Sequence, residues 1–340
     1  MPAAPTRLRR RQLMGLALAS TTLAIGAPAA RAQTPAAAGY PSKPIQLIVP
    51  FPAGGATDGV ARLVAEKLRQ RMGQTVVVDN KAGASGILGT DFVAKAPADG
   101  HTLVLSLSTS LLINQFLYKK LPYAPQKDLA LVSLLANVPI VLLAHPSVPA
   151  NNAAELAKYI SANKGKLSYG SWGVGSAGHL SLAAMSQSFN ADMTHVAYKG
   201  EAPMLQDLIG GQIQLAFASA LQAKSFAESG KVKAIGVTGE GRMPALPNVP
   251  TLAEQGWRDD IFRITGWVAV AAPAATPKPI VDRLAAELRA ISEMPDVRGR
   301  FVAIMGVEPV ALGPEQFAAA YAKDLPVWQR AVKETGASLD

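Results

Sequence analysis

One repeated order of elements constrains this chain more than anything else in it. Ile45-Gln46-Leu47-Ile48-Val49 is apolar enough for a strand buried on both faces, and it runs directly into a turn containing Gly54 and Gly55. Val60, Leu63, Val64, Leu68 and Met72 then recur at helical spacing as far as a stop at Gly73. Thr75 to Val78 reads as a second strand, Gly89 to Lys95 as a short helix and Thr102 to Leu107 as a third strand, which together make a βαβαβ unit. The same grammar resumes with strands expected at Pro139 to Ala144, Leu167 to Tyr169, His195 to Tyr198, Ile213 to Phe217 and Val232 to Val237. Helices are expected between them at Ala153 to Ala162, His179 to Phe189, Ala202 to Ile209 and Gln222 to Glu228. After a proline-rich stretch from Met243 to Thr251 come a strand at Gly266 to Ala271 and amphipathic helices at Pro279 to Ser292 and Pro314 to Glu334. The expected class is therefore α/β, and 340 residues favour two domains over one core.

Charge is unevenly distributed along this pattern. Of 33 basic residues, Arg7, Arg9, Arg10, Arg11 and Arg31 fall in the first 32 positions, where no acidic residue occurs. The other 28 stand against 24 acidic residues, so the formal net charge of +9 is mostly a property of that segment. With 6% aromatic residues and no basic cluster beyond it, neither a phosphate-tracking stripe nor a stacking platform for nucleic acid is present. Residues 1–32 read as an export signal: a basic start, an apolar run from Leu13 to Ala27 and a small-residue cleavage pattern at Ala30-Arg31-Ala32. The run contains Ser20, Thr21, Thr22 and Gly26 and is too short and weak for a stable span. Arg10-Arg11-Gln12-Leu13-Met14 resembles a twin-arginine signal, although Arg9 departs from that pattern, so the general secretory route stays open. The mature chain is expected to begin near Gln33, with Thr34 to Gly39 as a tether. An exported chain with no cysteine has no disulfide framework and no thiolate nucleophile.

Two loops concentrate the chemistry. Phe51-Pro52-Ala53-Gly54-Gly55-Ala56-Thr57-Asp58 joins the first strand to the first helix, where paired glycines let backbone N–H groups approach an anion. The plainer reading is an ordinary turn with Thr57 or Asp58 as the helix cap. Gly170-Ser171-Trp172-Gly173-Val174-Gly175-Ser176-Ala177-Gly178-His179 is a second such turn, and two of them suggest a cleft. It also spells G-x-G-x-x-G, but the next strand ends in Lys199-Gly200, where a dinucleotide site needs an acid for the ribose. His101, His145, His179 and His195 show no metal-ligand spacing, and neither a nucleophile elbow nor a phosphate loop occurs. No cofactor and no metal is expected. Ser176 and His179 lie three apart as a nucleophile and base would, or as a capping serine and a satisfied histidine would. Lys199 either pairs with Glu201 or faces the cleft.

Seven blocks then carry a family resemblance: 40–45, 49–58, 94–100, 169–171, 175–180, 198–200 and 246–251, which read YPSKPI, VPFPAGGATD, AKAPADG, YGS, GSAGHL, YKG and LPNVPT. In this order they resemble the Bug-type solute receptors of tripartite tricarboxylate transporters, across essentially the whole mature chain. The resemblance implies a type II-like two-lobed periplasmic binding protein, acting as a monomer, whose α/β lobes close on a small carboxylate and deliver it to membrane permease subunits. Residues 33–140 and 266–340 would form lobe 1, and residues 141–265 lobe 2. The family's contacts fall on Phe51, Gly54, Gly55, Ala56, Thr57 and Asp58 in the first loop, and on Ser171, Trp172, Ser176 and His179 in the second. Ser108 and Thr109 would add hydroxyls, with Tyr198 and Lys199 on the opposite wall. Two positions depart from the family. Trp172 stands where a small residue is usual, and Ala218 follows Phe217 where an aspartate is common.

These departures bear on the ligand. Loss of an acid at Ala218 argues against an amino acid, whereas Trp172, unless it packs inward on its own domain, offers a flat apolar face to a ring or aliphatic carboxylate. Readings from other classes are an exported serine hydrolase built on Ser176 and His179, and an orphan receptor loading a sensor kinase. A receptor needs no catalytic dyad, and the missing catalytic motifs suit it.

Overall fold

The computed structural model describes Met1 and residues 39–339. The expected export signal, its cleavage site and most of the tether lie outside the described residues. Among the described residues no helix is long and apolar enough to cross a membrane.

The first half of the chain alternates as read: β1 (Ile45–Val49), α1 (Ala56–Met72), β2 (Val76–Asn80), α2 (Ile87–Ala94) and β3 (Thr102–Leu107). A π-type turn over Thr109–Ile113 leads into α3 (Asn114–Leu117) and α4 (Pro125–Asp128), and then β4 (Leu129–Val138) begins. The periodicity analysis did not find β4. Its sequence, LALVSLLANV, has no alternation and consists largely of leucine and alanine, which favour helix when considered locally. It is a strand because a partner pairs with it along its whole length.

After β5 (Val141–Ala144) the chain builds α5 (Ala153–Ala162), β6 (Ser168–Ser171), α6 (Ala177–Ser188), β7 (Thr194–Ala197), α7 (Glu201–Ile209), β8 (Leu215–Ala218), α8 (Ala220–Glu228) and β9 (Lys233–Val237). A short α9 (Asp260–Arg263) precedes β10 (Gly266–Pro273), and α10 (Lys278–Ser292), α11 (Pro295–Met305) and α12 (Pro314–Thr335) complete the chain. Two mixed sheets result, ordered β2-β1-β3-β10-β4 and β7-β6-β8-β5-β9. This is the two-lobed α/β architecture of periplasmic binding proteins.

Two passages connect the sheets. Between β4 and β5 stand only Pro139 and Ile140, and β10 returns to pair antiparallel with β4 from Gly266 opposite Val138 to Pro273 opposite Leu129. At the crossing, Ile140 and Thr238 hold each other: the Ile140 N–H donates to Thr238 Oγ1 at 3.0 Å, and the Thr238 N–H donates to the Ile140 carbonyl at 3.0 Å.

α12 packs against β4 and against α6 of the other sheet. Its anchor is Trp267, the second residue of β10, which meets Phe317 edge-on at 5.1 Å and donates its indole N–H to Asp324 Oδ2 at 3.1 Å. Burial raises the Asp324 carboxyl to about 6, against the opposing effects of the indole bond and Lys323. The folded chain thus holds this proton more tightly than the unfolded chain, so the cost of the ionised group is absent below about pH 4 and fully present above about pH 6. Asp324→Asn keeps an oxygen for the indole and removes the charge. The variant should be more stable than the parent by on the order of 2 kcal/mol at pH 7.5 and indistinguishable from it near pH 3.5, as read from urea unfolding midpoints.

Candidate functional site

In each sheet the parallel strands end at one edge, and their βα connections gather there. β1 pairs parallel with β2 and β3, so Phe51 to Gly55, the 81–86 segment and Ser108 share an edge. β6 pairs parallel with β7 and β8, with Ser171 opposite Ala197 and Gly170 opposite Ala216, so the second loop, Tyr198 to Gly200 and Ser219 share another. Ligands of open α/β sheets bind beyond such carboxyl ends. Elements packed on the two sheets come close at two places: a Cβ on Gly175 would lie 2.5 Å from Leu117 at the end of α3, and one on Gly306, just after α11, would lie 2.4 Å from Ala220.

In the first loop neither Thr57 nor Asp58 caps α1. Gly55 occupies the cap position, with extended backbone, and α1 starts at Ala56. Asp58, buried in the first turn, reaches backward instead. Its Oδ2 accepts from the Gly54 N–H and from Arg62, each at 2.9 Å, and its Oδ1 accepts from Asn80 at 3.0 Å. Burial pushes this carboxyl up, but these bonds outweigh it and hold the group below the usual carboxylate range. Both oxygens are thus committed to shaping the loop. Gly54 has φ +84°, which a side chain tolerates poorly, whereas Gly55 has φ −80° and ordinary room for a Cβ. Gly54, Gly55 and Ala56 are exposed, so the loop offers backbone rather than side chains. The Phe51 ring lies against Gly86, half-buried, and Thr57 is buried.

The second loop rests on a stack of rings. His179 and His195 lie with centroids 3.9 Å apart, and Tyr169 stacks on His195 at 5.0 Å. His179 Nδ1 accepts from the Gly175 N–H at 3.1 Å, which places its proton on Nε2. Ser171, fully buried, joins its hydroxyl to His195 Nε2 at 2.8 Å and to the Gly173 backbone. Ser176 caps α6 by accepting from the His179 N–H at 3.3 Å. The hydroxyl and the imidazole are therefore not bonded to each other, and the hydrolase dyad is not formed. Trp172 is half-buried with its ring over Gly178, where a Cβ would come within 2.7 Å, so it packs on the first turn of α6 in its own lobe.

The remaining expected residues are spread around the two edges. Ser108 is buried and accepts only a long bond, 3.4 Å, from the Trp267 N–H. Thr109 is half-buried, and its hydroxyl has no partner among the described residues. Tyr198 donates to Asp207 at 2.7 Å, and burial with that partner raises its phenol to about 12. Lys199 is exposed and makes no ion pair among the described residues, so it does not pair with Glu201. Ala218 is the last residue of β8 and fully buried, not a residue beyond the strand. Nor is its corner without an acid: Glu201, which the sequence reading did not place in the site, accepts from both the N–H and the hydroxyl of Ser219. Cavities of about 500 and 440 Å³ lie elsewhere, between α6, α9 and α12 and behind the strand passages.

The model for "Tripartite tricarboxylate transporter family receptor" matches residues 60–337. The chain belongs to that family. Its relatives are solute-binding proteins and not enzymes. Among similar solved structures is the periplasmic binding protein BugD, 36% identical, covering 88% of this chain and 99% of its own, with a TM-score of 0.72. R. palustris Rpa4515 with adipate is 32% identical, covers 87% of this chain and 98% of its own, and has a TM-score of 0.75. MatC from Rhodopseudomonas palustris with bound malate is also 32% identical, covering 86% and 100%, with a TM-score of 0.71.

The histidine stack makes the second loop sensitive to acid. Burial, and for His179 also the neighbouring His195, lowers both rings, His179 to about 4. The stability that the neutral rings contribute is present above about pH 6.5 and is lost as pH falls toward about 4. His179→Asn, whose oxygen can take over the Gly175 N–H, should show a smaller drop in urea midpoint between pH 7 and pH 4.5 than the parent.

Proposed function

We propose that this chain captures a small carboxylate in the periplasm and delivers it to the membrane permease subunits of a tripartite transporter. The observation that carries this reading is the pairing of two βα edges, each with exposed or closely approachable backbone at a helix start. The adipate and malate held by similar structures favour the same ligand class. In this reading residues 33–140 and 266–340 form lobe 1, residues 141–265 form lobe 2, and the two strand passages are the hinge. The mature protein acts as a monomer after cleavage of the export signal near Ala32.

The ligand-binding set divides by what each residue has left to offer. Gly55 and Ala56 supply N–H groups, Thr109 a free hydroxyl and Lys199 a free cation that approaches on closure, while Gly54, its N–H bonded to Asp58, sets the turn. Asp58, Ser171 and Tyr198 hold the loops in shape through bonds within the protein, whereas Ser176 and His179 each commit one acceptor there and keep a donor, the Ser176 hydroxyl proton and the His179 Nε2–H. Phe51 and Trp172 contribute apolar walls, with Ser108, Thr57 and Ala218 behind them.

Two measurements test the reading. Calorimetry against a panel of mono- and dicarboxylates should find binding, and Gly55→Val should weaken it by about tenfold while leaving the urea midpoint within about 0.5 kcal/mol, because the loop stays in an allowed conformation. Unaltered affinity removes the first loop from the site. A ligand that bridges two lobes favours their closed arrangement, so small-angle scattering should report a smaller radius of gyration at saturation. No change, with binding confirmed, counts against a hinged receptor.

A further inference from the structure

The connection between β7 and α7 places a carboxyl group at the sheet edge where the ligand is proposed to sit. Glu201 is the first residue of α7, and its side chain crosses to the next connection, where Ser219 stands just before α8 without its hydroxyl capping that helix. Glu201 Oε1 accepts from the Ser219 N–H, and Oε2 accepts from the Ser219 hydroxyl at 3.0 Å. That hydroxyl has spent its proton, so its outward lone pairs can only accept. The carboxylate likewise only accepts. Together they make one wall of the cleft an acceptor surface.

Nothing close by neutralises it. β8 carries no titratable residue, and β6, packed against α7, contributes Tyr169 alone. On α7 itself Asp207 is bonded by Tyr198, and on α8 Lys224 pairs with Glu228. Lys199, on the preceding connection, is exposed and separate from the Glu201–Ser219 pair.

Resting on the carboxylate reading above, we propose that Glu201 is a specificity-determining residue: it makes this corner reject a ligand's second carboxylate and accept a hydroxyl or ammonium group in its place. A second carboxylate there would set one anion beside another, whereas a donor meets two waiting acceptors. Burial raises the Glu201 carboxyl above its ordinary value, against the opposing effect of its two bonds to Ser219. Glu201→Gln keeps an oxygen for the Ser219 N–H and lets its amide donate to Ser219 Oγ, freeing the hydroxyl proton to face the ligand. The corner is thereby turned from acceptor to donor with little change of shape.

The test uses ligands matched in length, succinate with 4-hydroxybutanoate and adipate with 6-hydroxyhexanoate, measured by calorimetry on the parent and on Glu201→Gln. In the better-binding pair, the parent at pH 7.5 should favour the hydroxy acid by about tenfold or more, and Glu201→Gln should cut that ratio to about threefold or less. The parent's preference at pH 7.5 still reads on the parent alone if the variant does not fold. A parent that favours the dicarboxylate at pH 7.5, or an unchanged ratio in the variant, overturns the assignment. Absence of binding by all four acids to both proteins instead overturns the carboxylate reading and takes this inference with it.

Discussion

The rest of the structure depends on where β10 is inserted. This strand lies between β3 and β4 and bonds antiparallel to both, so residues distant in sequence complete the sheet that the first third of the chain begins. Everything from Val141 to Val237 that forms the second sheet is thereby enclosed in an excursion that must leave and return at nearly one point. Ile140 and Thr238 mark that point with their reciprocal bonds. Two passages tied together at one point resist sliding but permit bending, as hinge closure around a ligand requires.

How much of this was legible depended on whether local pattern and tertiary demand agreed. They agreed at Ile45–Val49, Thr102–Leu107 and Ala153–Ala162, whose bounds match the reading to the residue. They disagreed at Leu129–Val138, where a leucine- and alanine-rich segment is a strand because β10 pairs with it. α11 went unread because Gly299 and alternating charges blur its apolar face, although Pro295 and Gly306 mark its ends. Glycine drew attention to two loops that lie at the carboxyl edges of the parallel strands. The Ser219 connection has no glycine, so nothing local marked it, and the Glu201 bond to it joins residues 18 apart. Asp58 was visible as a helix-start acid, but its backward reach to Gly54 depends on Asn80 from another strand.

Rigidity and openness are divided between side chains and backbone in these loops. Asp58 and Ser171 spend their polar atoms inside the protein, Ser176 and His179 spend one acceptor each, and the exposed main-chain N–H groups of the loops are held in position by these bonds. A site of this kind loses little conformational entropy on binding, because the donors that meet the ligand have no rotamers to freeze. In the proposed reading such a site selects its ligand mainly by charge and size, and leaves finer discrimination to side chains such as Glu201.

The insertion of β10 has a further consequence for how such a chain acquires its structure. In a polypeptide that emerges from its N-terminus, β1, β2 and β3 can assemble early, but β3 keeps an open edge and β4 has no strand partner until residues 266–273 arrive. The contiguous second sheet needs nothing from outside its own span of strands and can form first. During that interval an apolar ten-residue segment waits unpaired, the condition under which strands aggregate or recruit chaperones. The late strand therefore sets the period of greatest vulnerability in the protein's maturation, and one lobe completes its sheet only after the other has been able to form.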